Sequence, residues 1–332
     1  IRRWRVADPV EALLSAARAR PEAPEGWRAL GDALHRAGRL GEAGAAYEQA
    51  MLVGVHDPAL RQAALALAAN RLDVAERLLK PHLRSHPTDT AAMRMLAELA
   101  ARLGRLDDAG ALLDRALELA PNFLAARQNL AMLHLRQHRA AEALQEIETL
   151  LAAEPDNPAF LNLQGVALAR IGDYGDAAER FAAVLAARPA QPRVWLSYGH
   201  ALKTIGRRDD SVEAYRRAIA LQPELGEAWW SLANLKSMRF SDQDVAVMRQ
   251  AAEGRLAEDD ALHLHFALGK ALEDAGDPAA AFDHYARANA LRAQQLAYDP
   301  APVEALVEAI VERCDTRFFE SRAEWGDASP DP

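Results

Sequence analysis

The sequence predicts an all-α fold, a solenoid of stacked helical hairpins that ends in a modified helical collar. The first observation is a proline that recurs five times at an interval of 34 residues, at Pro87, Pro121, Pro155, Pro189 and Pro223. A constant interval of this length is typical of an array in which every unit presents the same face to its neighbour. The second is composition: 50% of the 332 residues are apolar, 6% are aromatic, and no segment alternates with the period of a β-strand.

The columns of the 34-residue unit indicate two amphipathic helices. With the recurring proline counted as position 32, positions 8 and 20 hold small residues and position 24 holds a large apolar one. Position 8 reads Ala63, Ala97, Ala131, Gly165, Gly199 and Ala233; position 20 reads Ala75, Ala109, Ala143, Ala177 and Ser211; position 24 reads Leu79, Leu113, Ile147, Phe181 and Tyr215. Small residues suit a close helix crossing, and spacings of three and four are helical. The proline ends the second helix because it lacks an N–H group.

These columns resemble the tetratricopeptide repeat. The matching residues are Trp27, Leu30, Gly31, Ala43, Tyr47 and Ala50 in the first unit and Trp195, Tyr198, Gly199, Tyr215, Ala218 and Pro223 in the sixth. The resemblance implies a right-handed superhelical solenoid. Its units are placed at 24–55, 56–89, 90–123, 124–157, 158–191 and 192–225. A seventh unit at 226–261 matches the repeat pattern at its start and then departs from it, and an eighth unit at 262–295 matches the pattern again.

The repeats divide the chain into three predicted segments. Residues 1–23 form an amino-terminal cap, with a helix over Asp8–Arg20. Residues 24–225 form the array of six repeats. Residues 226–332 form a collar, made of the degenerate repeat, the further repeat-like unit and a last helix at about Pro302–Asp315.

Charge and cysteine content narrow the classes of function. Residues 226–332 hold 10 Lys and Arg against 20 Asp and Glu, and such an acidic segment argues against nucleic-acid binding, which needs clustered cations. We interpret it as a solvated acidic face, with a docking surface for a basic partner as the alternative. No apolar run reaches the roughly 20 residues of a membrane span. The lone Cys314 fits a reducing cytoplasm, and the Ala-, Arg- and Leu-rich composition favours a bacterial origin.

The sequence offers no catalytic or metal motif. Gly269-Lys270 lacks the upstream glycine and the following hydroxyl residue of a phosphate-binding loop. His134 and His138 have the spacing of a helical zinc pair, but His138 falls at the turn between two helices. His263 and His265 are two residues apart and point to different sides of a helix. Whether the chain is an enzyme is therefore left open, with no catalytic residue and no metal assigned.

The resemblance implies instead a concave groove lined by the first helix of each hairpin, at positions 2, 5, 9, 12 and 13 of the repeat. The candidate peptide-binding residues are Arg28, Asp32, His35, Arg94, Glu98, Gln128, Asn162, Arg170, His200, Lys203, Trp230 and Asn234. Amide side chains such as those of Gln128 and Asn162 can hydrogen-bond the main chain of an extended peptide. Arginines can pair with its acidic side chains. The alternative for each residue is a polar side chain that only keeps the surface soluble.

Two adjacent tryptophans are expected to differ. Trp229 occupies position 4, where an indole packs in the core. Trp230 is turned by about 100° on the helix, so we expect it to face the groove or a partner.

Residues 192–332 carry a second, more specific resemblance. The segments that carry it are Tyr198–Thr204, Gly226–Lys236, His263–Asp274, Asn289–Arg292, Phe318–Phe319 and Asp331–Pro332. They are similar to bacterial tetratricopeptide-repeat sulfotransferases, which join an amino-terminal solenoid to a catalytic domain. In that family an Asp-Pro pair precedes a strand and the Pro-Arg-Ser-Gly-Ser/Thr loop that binds the donor. This sequence ends at Pro332, so the resemblance implies no cofactor site here and 3′-phosphoadenosine 5′-phosphosulfate as the donor of the parent protein.

Two functions remain open from the sequence. In one, the chain is the substrate-presenting solenoid of a sulfotransferase, whose own carboxyl-terminal domain rests on residues 226–332. In the other, it is a free-standing adaptor that gathers partner proteins and performs no chemistry. Both place a protein or peptide in the groove and neither calls for nucleic acid or a membrane.

Overall fold

The structure, a computed structural model, describes residues 9–54, 57–235, 238–296, 298–323 and 325. These residues form nineteen helices and no strand, which confirms the predicted all-α class. The chain divides into two compact units, which we call from here on the first unit (Ile1–Leu221) and the second unit (Gln222–Pro332). None of the described helices is both long enough and apolar enough to cross a membrane.

The described residues of the first unit form thirteen helices. They are α1 (Pro9–Ala19), α2 (Pro24–Arg36), α3 (Leu40–Gly54), α4 (Pro58–Ala68), α5 (Leu72–Ser85), α6 (Thr90–Arg102), α7 (Leu106–Leu119), α8 (Leu124–Arg136), α9 (Ala140–Ala153), α10 (Pro158–Ile171), α11 (Tyr174–Ala187), α12 (Pro192–Thr204) and α13 (Arg208–Leu221). From α2 onward consecutive helices pair into six hairpins, which we number one to six, each with its strongest packing between its own two helices.

The turn inside each hairpin uses one residue in the left-handed conformation, at position 15 of the repeat. The residues with positive φ in the first unit are Gly38, Asn70, Gly104, His138, Gly172 and Gly206. Glycine takes this conformation without strain, and Asn and His are among the side chains that tolerate it. His138 (φ 61°) therefore lies beyond the end of α8 and is not a helical neighbour of His134.

Positions 8 and 24 of a hairpin are matched in size. Where position 24 is aromatic, position 8 is glycine, as in Gly165 with Phe181 and Gly199 with Tyr215. A Cβ atom on Gly199 would lie 2.5 Å from Cε1 of Tyr215, and one on Gly165 would lie 2.7 Å from Cε1 of Phe181. Where position 24 is aliphatic, position 8 is alanine, as in Ala97 with Leu113. The two columns read from the sequence are thus a single contact whose total volume is conserved.

A hydrogen bond from position 4 fixes the entry of several first helices. The indole Nε1 of Trp195 donates to the carbonyl of Pro189 at 2.8 Å, and Trp229 donates to the carbonyl of Pro223 at 2.9 Å. In hairpin four Arg127 takes this place and donates to the carbonyl of Pro121 at 2.8 Å. The recurring proline therefore ends one helix and offers its carbonyl as an acceptor to the next. Trp229 is buried, as the sequence predicted.

Hairpin one departs from simple stacking. Its helix α3 packs on α6 and α7 of hairpin three, and the core around hairpin two includes no described residue of hairpin one. Tyr47 and Leu30 instead share a core with Leu113, Leu119 and other residues of hairpins three and four. Hairpin one therefore packs on hairpin three, two places further along the array. The physical reason for this packing is a long-range polar contact described below.

The second unit contains α14 (Gly226–Ala233), α15 (Asp242–Ala252), α16 (Glu258–Asp274), α17 (Pro278–Gln295), α18 (Ala301–Arg313) and α19 (Thr316–Glu320). Helices α16 and α17 form a repeat-like hairpin with Gly269 beneath the ring of Tyr285. Helix α14 packs against α16, because Gly226 has no Cβ to hold the helices apart. A Cβ there would lie 2.0 Å from the carbonyl oxygen of Asp260.

Candidate functional site

The first helices of hairpins two to six are neighbours. Helix α6 contacts α4 and α8, and α10 contacts α8 and α12. Side chains that project from these helices away from the second helices therefore share one surface, which we call the groove. Seven of the predicted residues lie on α6, α8, α10 and α12: Arg94, Glu98, Gln128, Asn162, Arg170, His200 and Lys203.

Arg94 lines an apolar cavity of about 430 Å³. The other walls are apolar side chains of α3, α4, α6 and the start of α8, with Arg61 as a second cation. The lining residues are Met51, Leu52, Gly54, Leu60, Arg61, Ala64, Ala91, Met95, Phe123 and Ala125. We call this the anchor cavity. Arg94 lies 3.7 Å from Glu98 in an ion pair within α6.

Glu98 lines a second cavity of about 270 Å³, between α6 and α8. Its carboxylate pairs with both Arg94 and Arg102, while Arg136 also lines the cavity. The cations at this place outnumber the carboxylate, so the surface favours an anionic ligand.

Arg170 and His200, which come from different hairpins, are brought together. Both line a cavity of about 230 Å³ between α10, α11 and α12. His200 Nδ1 lies 3.0 Å from the hydroxyl of Tyr215, and the two rings meet edge to face. The imidazole is thus oriented by the residue that fills position 24 of its own hairpin.

Gln128, Asn162 and Lys203 lie on α8, α10 and α12 respectively. The two amide side chains are half-buried and Lys203 is exposed. These positions are compatible with contact to a ligand in the groove, and their binding role stays a prediction.

The residues predicted on hairpin one are placed differently. Arg28 is 6% exposed and pairs with the carboxylate of Asp89, the residue that caps α6. Asp32 accepts a hydrogen bond of 2.8 Å from the hydroxyl of Tyr47, and His35 is half-buried on α2. The assignment of Arg28 to the groove was wrong, because its guanidinium is buried in a contact inside the protein.

The two candidates in the second unit differ in exposure. Trp230 is half-buried and its ring packs on Phe266, with centroids 5.3 Å apart. Part of the covering that we expected from a partner is therefore supplied by α16. Asn234 follows α14 directly and is exposed.

Sequence reasoning named Arg170 as a groove residue but missed the column of arginines to which it belongs. Arg102, Arg136 and Arg170 occupy position 13 of three successive repeats, at the end of α6, α8 and α10. We call them the arginine column. The signal was readable, because these residues are separated by the same interval as the prolines. Arg136 and Arg170 make no ion pair with a residue that the structure describes.

A pair of histidines joins α16 and α17. Their Nδ1 atoms, in His265 and His284, lie 3.0 Å apart. Burial lowers the pKa of both imidazoles, and the charge of Arg287 lowers both further; His265 and Arg249 act in the same direction on His284, whereas Asp283 opposes them. Both rings are therefore neutral at neutral pH and share one hydrogen bond. Within the described ranges no group of three or more His, Cys, Asp or Glu could hold a metal ion.

The histidine pair should make the second unit sensitive to acid. A histidine whose folded pKa lies below its unfolded value of 6.5 stabilises the fold above that pH, and the contribution is lost as pH falls through the folded pKa. We expect the urea concentration at the unfolding midpoint of the second unit to decrease as the pH is lowered from about 8 to about 5. Circular dichroism during urea titration measures this midpoint. The double variant His265→Asn with His284→Asn should reduce this pH dependence. His138→Asn, an exposed control at a left-handed position, should leave the pH dependence unchanged. If the unfolding midpoint changed equally with pH in the two variants, the pH dependence would not come from the histidine pair.

Comparison with known proteins agrees with this architecture. Two models of the tetratricopeptide repeat match the chain, one at residues 100–166 and 168–235 and the other at 5–53 and 60–122. Together they cover more than half of the sequence. No curated protein sequence matches.

Solved structures of similar fold include two repeat proteins. MamA from Desulfovibrio magneticus RS-1 (residues 41 to the end) is 19% identical with a TM-score of 0.45, over 50% of this chain and 93% of that chain. YrrB, described as a tetratricopeptide-repeat protein with an unusual peptide-binding site, is 16% identical with a TM-score of 0.41, over 67% of this chain and 98% of that chain. At these values the likeness carries no functional argument.

Proposed function

Because the chain belongs to the tetratricopeptide-repeat family, we propose that it recognises acidic protein segments along the first helices of hairpins three to five. The observation that carries the proposal is the arginine column, which places one cation on each of three neighbouring first helices. Arginine pairs with carboxylates in a two-pronged geometry. An extended peptide with acidic side chains would meet successive arginines, while Gln128 and Asn162 hydrogen-bond its main chain.

A cation at the carboxyl end of a helix also stabilises that helix through its dipole. The arginines could therefore have a purely structural role, and a binding experiment must distinguish the two roles. We expect a short fluorescent peptide rich in glutamate to bind more tightly than its glutamine counterpart at low salt. The double variant Arg136→Ala with Arg170→Ala should weaken this binding by about tenfold, since each charged hydrogen bond contributes roughly 1.5–3 kcal/mol at most and exposed pairs contribute less. The measurement is fluorescence anisotropy.

The matched control is Arg208→Ala with Arg217→Ala, which removes two exposed cations from the second helix α13. Net charge changes equally in the two double variants, so a difference between them isolates position from long-range attraction. Equal losses, or equal binding of the two peptides, would rule out recognition by the arginine column.

We infer further that the parent protein is a bacterial, cytoplasmic sulfotransferase that uses 3′-phosphoadenosine 5′-phosphosulfate. This chain would present the substrate, and a catalytic domain would rest on residues 226–332. Two features support a docked domain. Helix α18 has no buried residue, and its apolar side chains Val303, Leu306, Val307, Ile310 and Val311 are 49% to 69% exposed. Apolar surface of this extent usually marks a contact, and the acidic balance of the segment suits a basic partner.

A free-standing adaptor is equally consistent with the fold. The gene sequence downstream of Pro332 distinguishes the two functions. A strand and a Pro-Arg-Ser-Gly-Ser/Thr loop encoded there would establish the sulfotransferase, whereas their absence would leave the adaptor. For the present chain we expect no thermal stabilisation by 3′-phosphoadenosine 5′-phosphate, because a ligand stabilises a fold only where the fold has a site for it.

A further inference from the structure

We propose that the anchor cavity holds a large apolar side chain of the bound segment, with acidic residues beside it held by Arg61 and Arg94. This inference rests on the proposed function and names a specific pocket within it. The cavity differs from the open groove further along the array, because α3 of hairpin one supplies an additional wall through Met51 and Leu52.

The shape and chemistry of the cavity suit such an anchor. Its volume of about 430 Å³ lies in the range of small-ligand sites, roughly 300–1,000 Å³. Leu60, Met95 and Phe123 make the floor apolar, and the methionines can adjust to side chains of different shape. Ala64 and Ala91 leave the space open, since larger residues at these positions would fill it.

Charge decides which apolar segment fits. Among the residues that the structure describes, Arg61 and Arg94 line the cavity and no carboxylate does. Arg94 shares Glu98 with Arg102 at one side, and Arg61 forms no ion pair within the described residues. A neutral apolar segment would bury Arg61 without a counter-ion and Arg94 with only its shared carboxylate, whereas acidic residues next to the anchor would pair with both cations. The geometry therefore selects an apolar residue flanked by Asp or Glu.

The position of the extra wall depends on hairpin one being docked. Arg28 on α2 reaches Asp89 at the start of α6, and α3 packs along α6 and α7. These contacts hold Met51 and Leu52 opposite α4 and α6. Asp89 is thus a positioning residue for the cavity and lies outside its lining.

The test compares two labelled peptides on the intact chain by fluorescence anisotropy. One carries Leu-Phe between glutamates, and the other has Ala-Ala in place of Leu-Phe. We expect the first to bind at least tenfold more tightly. Ala64→Phe, which fills the cavity from an exposed position of α4, should abolish this difference and leave the affinity of the Ala-Ala peptide unchanged. Ala68→Phe, on the next turn of the same helix and outside the cavity, should preserve the difference.

The outcomes separate this inference from the function on which it rests. If both peptides bind equally, or if Ala64→Phe leaves the tenfold difference intact, the anchor is wrong and groove binding stands. If neither peptide binds to any variant, the proposed function itself fails. Ala64 and Ala68 are both exposed, so the two variants are expected to unfold at the same urea concentration. Equal urea midpoints would show that a loss of affinity is not a loss of the fold.

Discussion

Asp89→Ala is expected to lower the free energy of unfolding of the first unit by about 3–5 kcal/mol, the range for removing one partner of a buried ion pair. Arg28 and Asp89 are 6% and 4% exposed, so the guanidinium would remain buried with only the exposed carboxylate of Glu25, 3.6 Å away, as a counter-ion. His82 would lose its 2.9 Å contact to the same carboxylate. The helix α6 would also lose its cap, because Asp89 accepts from the N–H of Ala92 at 3.1 Å.

Urea denaturation measures this effect, and Asp73→Ala is the matched control. Asp73 pairs with Arg77 at 2.9 Å, but both side chains are more than 70% exposed, so we expect a loss below about 1 kcal/mol. Asp89→Asn separates the two roles of Asp89, since asparagine can still cap the helix but carries no charge. Similar losses for Asp89→Ala and Asp73→Ala would show that the buried contact does not hold hairpin one.

Acid should reproduce part of the Asp89→Ala effect. Burial alone would raise the pKa of Asp89, but hydrogen bonds from His82 and Ala92 and the charge of Arg28 outweigh it and hold the pKa below 3.8. A carboxyl with a depressed pKa stabilises the fold above its unfolded value and ceases to do so as pH falls through the folded pKa. The difference between the wild-type protein and Asp89→Ala should therefore narrow below about pH 4.

Gly199→Ala is expected to destabilise hairpin six by about 1–3 kcal/mol through overpacking. The added methyl would lie 2.5 Å from Cε1 of Tyr215. Tyr215 is fully buried, so its ring can move away only by displacing neighbouring side chains. Alanine would otherwise favour a helix over glycine by about 1 kcal/mol, so a loss of stability has the sign opposite to that expected from propensity. Urea unfolding provides the measurement.

The rescue variant is Gly199→Ala with Tyr215→Leu, which recreates the pair that hairpin three has in Ala97 and Leu113. Tyr215→Leu alone should be destabilising, because it removes the ring and its contact with His200 and leaves a void. The double variant should lose less than the sum of the two single losses. Gly175→Ala, where no atom of a described residue lies within 4 Å of the added methyl, should be neutral or slightly stabilising. Additive losses would show that positions 8 and 24 are not in competition for space.

The hairpins that the sequence predicted well are those whose contacts are local. Positions 8, 20 and 24 lie within one unit, so a column of small or large residues reports directly on a contact such as Gly165 with Phe181. The turn at position 15 was also readable from Gly38, Gly104, Gly172 and Gly206, although Asn70 and His138 interrupt the column. The prediction of hairpins followed from the columns at positions 8, 20 and 24 and from the recurring proline.

The docking of hairpin one could not be read in the same way. The contact between Arg28 and Asp89 joins residues 61 positions apart. An arginine recurs at the position of Arg28, in Arg94, but no aspartate occupies the position of Asp89 in the next four repeats. Arg28 occupies a position that is polar in most repeats, so the column predicts exposure although the tertiary fold buries it. The arginine column was a different omission, since Arg102 and Arg136 share the interval with Arg170.

The exchange between glycine with an aromatic ring and alanine with an aliphatic side chain also restricts how these repeats diverge. If position 24 changes to an aromatic residue while position 8 is still alanine, the ring clashes with the alanine methyl group. If position 8 changes to glycine first, only a small void is left. The tolerated mutational route from one kind of hairpin to the other therefore passes through glycine. A repeat of this kind would change its interior with the smaller loss of stability in that order, and a glycine opposite an aliphatic residue would mark a repeat midway along the route.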